Sequence, residues 1–409
     1  MKYPKMRPVH AFPVMYSGKE MICLKDASGF TASTILVPKA VFLIISMLDG
    51  KNSVRDIQAA YMRKFGNMLF SDHIQKIIDD LDKNLFLEGE RFEAYQQRLI
   101  TEFKEAATRP FLSQGDGPDR EPARLKKELA SYYSHPDGPG ESFPEIASGG
   151  IKGIMVPHID YMRGGPCYAW GYRGVETLDD VDTFIILGVN HMAAEPLFSV
   201  TPKPFETPLG LMDTDRDFVQ TLIENCDQDL LAGEFYHRSE HSVELQTVWL
   251  KHLYAEKGDV KIVPVLCGSF ESFIAQGLSP IQDARVLDFV NSVKGAMAAS
   301  GRKVCLMASV DLSHIGPQFG DERRVSPRNL VDLQDADLES LRSIEALDRE
   351  GFWQSVARDG NQRHICGLSA IYTLLSIIEA REGKLLKYSQ WRDERGMGCV
   401  TFASMVFCQ

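Results

Sequence analysis

No two cysteines in this chain are spaced as a Cys-x-x-Cys pair, no excess of basic residues exists, and no apolar run is long enough to span a bilayer. The cysteines stand singly at 23, 167, 226, 267, 305, 366, 399 and 408, most of them inside apolar runs such as 303–310. Isolated thiols in apolar surroundings argue for a reducing compartment and against a disulfide framework. A net charge of −11 leaves little surface for neutralising phosphates, so no nucleic-acid partner is expected. The longest apolar candidate, 41–48, falls far short of the roughly 20 residues a membrane helix needs. The N-terminus shows no basic-then-apolar signal pattern. These absences describe a cytoplasmic protein with no membrane partner. What is present is ordinary globular material, and 409 residues allow two or three domains.

Residues 1–92 read as a small domain. Apolar residues at helical spacing (Val41, Ile44, Ile45 and Leu48; Val54, Ile57 and Tyr61; Ile74, Ile77, Ile78 and Leu81) predict three helices. Asn52 or Ser53 caps the second and Ser71 the third. A closing strand over 85–88 completes a winged-helix pattern. Residues 93–150 are polar and broken by glycine and proline at 115–118 and 137–140, so they read as linker and lead-in, with one helix-like stretch around 124–131. From 151 onward apolar strands alternate with amphipathic helices. Strands are expected over 151–156, 182–189, 261–266, 303–310, 385–390 and 399–407. Helices are expected over 166–177, 216–225, 242–254, 286–298, 336–348 and 367–382. This alternation predicts an α/β fold: a mixed, mainly parallel sheet with helices on both faces.

Polar, metal-capable residues sit where those strands end. The first strand runs into His158, the second into His191, the one at 261–266 into Cys267, and the one at 303–310 into Asp311 and His314. Ligands of such sheets bind beyond the carboxyl ends of the strands. Each residue alone has a plainer explanation, a satisfied structural histidine or a capping aspartate. Four at four strand ends point to a shared site. Glu240-His241-Ser242-Val243-Glu244 opens a helix and puts Glu240 and Glu244 on one face. It serves either as a charged first turn favoured by the helix dipole or as a general acid or base. Cys366, before an apolar helix, is either a small buried hydrophobe or a thiolate ligand or nucleophile.

The runs Val156-Pro157-His158-Ile159-Asp160-Tyr161, Leu187-Gly188-Val189-Asn190-His191, Glu240-His241-Ser242-Val243-Glu244, Ser309-Val310-Asp311-Leu312-Ser313-His314 and Ile365-Cys366-Gly367 occur in the order and spacing of the Memo family. Its bacterial and archaeal members are called AmmeMemoRadiSam system protein B. Thr207-Pro208-Leu209-Gly210 and the closing strand also resemble it, and the likeness covers about 110–409. The resemblance implies a fold similar to class III extradiol dioxygenases. It implies one metal ion held by His158, His191 and Cys366, with iron expected first, then copper or zinc. It implies nearby polar roles for His241, Asp311 and His314. A thiolate in place of the dioxygenase carboxylate widens the choice of metal. Asp160 and Asn190 depart from the common family pattern and are candidates for fixing the two imidazole tautomers.

The N-terminal segment resembles a PqqD-type winged helix through Leu48-Asp49-Gly50-Lys51, Val54-Arg55-Asp56-Ile57 and Ile77-Ile78-Asp79-Asp80-Leu81. Such modules bind leader peptides for radical-SAM enzymes. Three functions follow: a metal-dependent oxidoreductase of dioxygenase-like type, acting on a small molecule or peptide at the metal; a non-catalytic peptide-binding or scaffold protein working beside a radical-SAM enzyme; or a cysteine hydrolase using Cys366 and His314.

Overall fold

The computed structural model of the chain describes residues 2–26, 29–31, 33–112, 121–141, 150–178, 180–255 and 257–409. Two compact units emerge, Met1–Ala106 and Ala107–Gln409. The break expected at 115–118 lies outside the described residues.

The first unit opens with three antiparallel strands, β1 (Val9–Tyr16), β2 (Lys19–Asp26) and β3 (Thr34–Pro38). Ser17 and Gly18, both at positive φ, form the two-residue turn that pairs Tyr16 with Lys19. Helices α1 (Lys39–Ile45), α2 (Val54–Phe65) and α3 (Ser71–Lys83) follow. Ser53 caps α2 in a reciprocal arrangement with Asp56, whereas α3 starts after Phe70 with no side-chain cap. Ile57, Ile74, Ile78 and Leu81 are buried in one core, on the helix faces the spacing predicts. The expected strand at 85–88 does not form. Leu85 takes a φ of 67°, which turns the chain at the first residue of that run. Leu87 then makes only an isolated bridge to Met6. The unit's sheet precedes its helices instead. Part of the expected linker is α4 (Glu90–Glu105), which buries Phe92, Leu99 and Phe103.

In the second unit α5 (Pro122–Tyr133) leads to β4 (Ile151–Val156), α6 (Tyr161–Val175), β5 (Thr183–Val189) and a short β6 (Phe198–Val200). A hairpin of β7 (Phe205–Thr207) and β8 (Gly210–Met212) follows, then α7 (Arg216–Asn225), α8 (His241–Leu253) and β9 (Lys261–Cys267). Next come α9 (Glu271–Gln276), α10 (Ala284–Ser300), β10 (Val304–Ser309), β11 (His314–Ile315), α11 (Pro327–Glu345) and α12 (Arg349–Ala357). The unit ends with α13 (Leu368–Ile377), β12 (Glu382–Arg392) and β13 (Cys399–Cys408). Two helices begin well before their spacing predicts, more than a turn earlier. Asp160 caps α6 by accepting from Arg163 N, and Pro166 lies inside the helix rather than at its start. Ser326 caps α11 with Pro327 at its first position.

One mixed sheet has the order β11-β13-β4-β10-β5-β9-β6, with β12 paired to β13. β4, β10, β5 and β9 run parallel at its centre. Helices cover both faces, which is why every residue of β5 is buried and the strand reads as a continuous apolar run. On one face α5, α6 and α8 pack around Tyr172 and Trp249. On the other, α7, α10, α12 and α13 pack around Phe289 and Tyr372. The expected α/β architecture is met. Because the four central strands are parallel, their carboxyl ends share one edge, and chain segments far apart in sequence meet there.

Candidate metal centre

β4 ends at Val156 and delivers His158, which is buried. Its Nδ1 lies 2.9 Å from the carbonyl oxygen of Ser309, at the end of β10. A carbonyl only accepts, so Nδ1 carries the proton and Nε2 keeps a free lone pair. β5 delivers His191. Its Nδ1 lies 3.0 and 3.1 Å from the two carboxylate oxygens of Glu240, and its backbone N–H donates to the same group at 3.1 Å. Glu240 caps α8 by accepting from Ser242 N at 2.9 Å, and Nδ1 of His241 lies 3.2 Å from it. One buried carboxylate therefore seats two imidazoles. The α8 start approaches β5 closely because Gly188 has no side chain; a Cβ there would meet Ser242 Oγ at 2.5 Å.

The rings of His158, His191 and His241 lie 4.9–5.2 Å apart by centroid. One nitrogen from each falls within 4.8 Å of the others, a spacing that can hold a metal ion. His191 and His241 keep 35% and 47% of their side chains exposed, so this side of the cluster is open to solvent.

Cys366 reaches the cluster from the turn before α13, one residue ahead of its Gly367 cap. Its Sγ lies 3.3 Å from His158 Nε2 and 3.6 Å from the carbonyl oxygen of Asp311. Burial raises its thiol pKa, and the adjacent His191 works against that. Asp311 accepts from the backbone N–H groups of His158 and Ile159 at 3.0 and 3.2 Å, and its other oxygen stands 3.7 Å from His158 Nε2. Burial pushes its carboxyl up to about 6, although those two N–H groups pull it down. His314 is at the margin. Its Nδ1 is 3.2 Å from the Leu312 carbonyl oxygen and its ring meets Phe319 edge-on. Burial, reinforced by His191, lowers its pKa to about 4. The imidazole neighbours of Cys366 are thus His158 and His191, not the His314 that the hydrolase reading requires.

Charge is divided unevenly among these groups. Burial, and then the neighbouring His191 and His241, hold His158 well below the ordinary histidine range. Burial opposes charge on His191 too, but the Glu240 carboxylate outweighs it and holds this imidazole well above that range. Glu240 shows the converse: burial raises it, and His191 and His241 draw it well below the usual carboxylate range.

Asp160 and Asn190 do not fix the imidazoles. Asp160 caps α6 and pairs with Arg163. The Asn190 side-chain Oδ1 accepts from Met192 N and Ala193 N, closing a local turn. Their short side chains satisfy nearer backbone donors first. The tautomers are set instead by Ser309 O and Glu240. Glu244 is not an open acid or base; it is buried against Arg109 and accepts from Leu112 N at 2.9 Å. Arg109 is the residue the sequence hides. Fully buried, it donates from Nε to the His237 carbonyl and from Nη2 to the Glu240 carbonyl, both at 2.9 Å. It lies in a polar stretch with no local sign of a role, and these two carbonyl partners are 128 and 131 residues away.

A family profile described as Memo-like protein matches residues 115–406. A MEMO1 family protein of Aquifex aeolicus is 28% identical over 98% of this chain and 100% of its own length, so that match takes in both units. Another, from Desulfurococcus amylolyticus, is 29% identical over 68% of this chain and 90% of its own. A third, from Methanococcus maripaludis, is 30% identical over 64% and 86%. Among the described residues, no helix is long and apolar enough to cross a membrane.

Proposed function

Because the chain belongs to the Memo-like protein family, we propose that it is a metal-dependent, redox-type protein of the cytoplasm whose ion is held by His158, His191 and Cys366. The observation that carries this reading is the placement of His158. Its Nδ1 is spent on a backbone carbonyl while its Nε2 faces the Cys366 sulfur at 3.3 Å. The family resemblance puts iron first, and a thiolate beside two imidazoles opens the choice to copper or zinc. When bound, such an ion supplies a Lewis-acid centre with open positions for a small-molecule or peptide ligand. The chain's own groups do the rest. Glu240 fixes the orientation of His191 and His241. Asp311, its carboxyl pushed up to about 6, takes or gives a proton near neutrality at its free oxygen. His241, the more exposed ring, passes protons to solvent. His314 stays neutral at the rim and offers an acceptor or donor to a ligand.

The test is elemental analysis after anaerobic metal reconstitution of the full chain. Wild type is expected to hold one ion and Cys366→Ser to hold less. Unchanged metal in Cys366→Ser, together with loss in His241→Ala, would assign the third position to His241, whose nitrogen also falls within the cluster. A wild-type chain that takes up no metal would overturn the reading.

The first unit supports a second reading, peptide binding beside a radical-SAM enzyme. β1 is an edge strand of its sheet and leaves Phe12, Met15 and Tyr16 exposed, a surface to which an extended peptide can add as a further strand.

A further inference from the structure

Two loops bring the Cys366 side of the site together. One leaves the end of β10 through Asp311, Leu312 and Ser313 to His314. The other is the turn from Asn361 to Cys366 that precedes α13. A single buried carboxylate joins them. Asp337, within α11, is 0% exposed and accepts from Ser313 Oγ at 2.6 Å, Arg363 Nη1 at 2.8 Å, Tyr388 OH at 2.9 Å and Thr401 Oγ1 at 2.6 Å. Ser313 belongs to the first loop and Arg363 to the second. Tyr388 and Thr401 stand on β12 and β13, so the same carboxylate is indexed to the sheet.

The loops also bond directly: His314 N donates to the Arg363 carbonyl at 2.7 Å. The far side of the Arg363 guanidinium donates to Ser340 Oγ at 3.0 Å and the Ser355 carbonyl at 3.1 Å. The turn needs this hold. Asn361 and His364 sit at φ of 55° and 50°, a region that side-chain-bearing residues occupy at a cost unless their surroundings impose it.

We propose that Asp337 is a positioning residue for the metal centre. It sets the separation of the Asp311–His314 loop and the Cys366 turn, and so decides whether the Cys366 sulfur stands within reach of His158. It acts through Ser313 and Arg363, and through Thr401, whose Oγ1 accepts from Ser313 N at 2.9 Å. Glu240, a separate anchor, holds His191 and His241. The sulfur side of the site, with the Asp311 loop that also touches His158, can therefore be displaced while His191 and His241 keep their geometry. This inference rests on the metal reading above.

The probe is Co(II) added anaerobically to the full chain, because a thiolate on cobalt gives a near-ultraviolet charge-transfer absorption that histidines do not. Asp337→Asn keeps the side-chain volume, removes the charge facing Arg363 and turns one acceptor into a donor. Its cobalt is expected to bind about tenfold more weakly, with the sulfur band lost or shifted, and Cys366 in the metal-free chain is expected to alkylate faster. Asp215→Asn is the control. That buried carboxylate accepts from Thr183 Oγ1 at 2.9 Å and pairs with Arg302 at 3.0 Å, at the opposite end of β5. It should lower stability and leave the band alone.

Asp337→Asn with the wild-type band and affinity overturns the inference, and so does an equal change in Asp215→Asn. If Asp337→Asn fails to fold, Arg363→Lys, which keeps the charge and loses the fork, is read by the same signals. A wild-type chain whose cobalt spectrum matches that of Cys366→Ser fails earlier. It removes the sulfur from the ligand set, and this inference with it, whereas a wild-type band that survives Asp337→Asn defeats the positioning role alone.

Discussion

Glu240→Gln would leave His191 and His241 facing an amide that accepts from only one of them, while its NH2 opposes a ring N–H. Both rings lose the group that fixes their tautomer, so metal affinity should fall roughly 10–100-fold, read by competition with a chelator. The pH dependence should move as well. In wild type His191 is held charged above its ordinary range, so metal competes with its proton and binds more weakly as pH falls. Without the carboxylate that range drops, and the loss of affinity should set in at lower pH. At this scale part of the site was legible. His158, His191 and Asp311 stand out because each ends an apolar strand, and Cys366 because a long apolar helix follows it. Glu240 was visible as a charged helix start, but its bond to His191 spans 49 residues and nothing local announces it. Arg109 and Asp337 left no signal, since a buried ion is told from a surface ion only by its partners.

Two helices bring their N-terminal ends close to the carboxyl ends of strands, α8 to β5 and α13 to β10, and a glycine admits each approach. At Gly188 a Cβ would strike Ser242 Oγ, at the start of α8. A Cβ on Gly367 would meet Val310 Cβ at 2.6 Å and the Asp311 carbonyl oxygen at 2.8 Å. Backbone must shift to admit it, so Gly367→Ala should cost about 1–3 kcal/mol in urea unfolding of the metal-free chain. Cys366, one residue away, should change its alkylation rate in the same variant. The strands and most helices of the second unit were readable because burial on both faces gives uninterrupted apolar runs. The first unit was misread where that pattern is weak. β1 contains Pro13 and keeps Phe12, Met15 and Tyr16 exposed, so it does not look like a core strand, and the Ser17-Gly18 turn that announces its hairpin is short.

On the scale of the molecule, an ion that binds only the folded second unit should stabilise it by mass action. At a free metal concentration of 100 times Kd the gain is about 2.7 kcal/mol. Thermal unfolding of the reconstituted chain should therefore move to higher temperature with added metal and return on chelation, and Cys366→Ser should respond less. An unchanged melting curve would count against a resident ion. The donors come from distant stretches: His158 and Cys366 are 208 positions apart in the chain. In a zinc finger a few neighbouring ligands can capture the ion early and drive folding. Here the parallel strands must already be paired across long separations, a slow step by loop-closure entropy. Metal uptake should thus come last in the life of a newly made chain, and a nascent polypeptide stopped short of residue 366 should emerge without its sulfur donor.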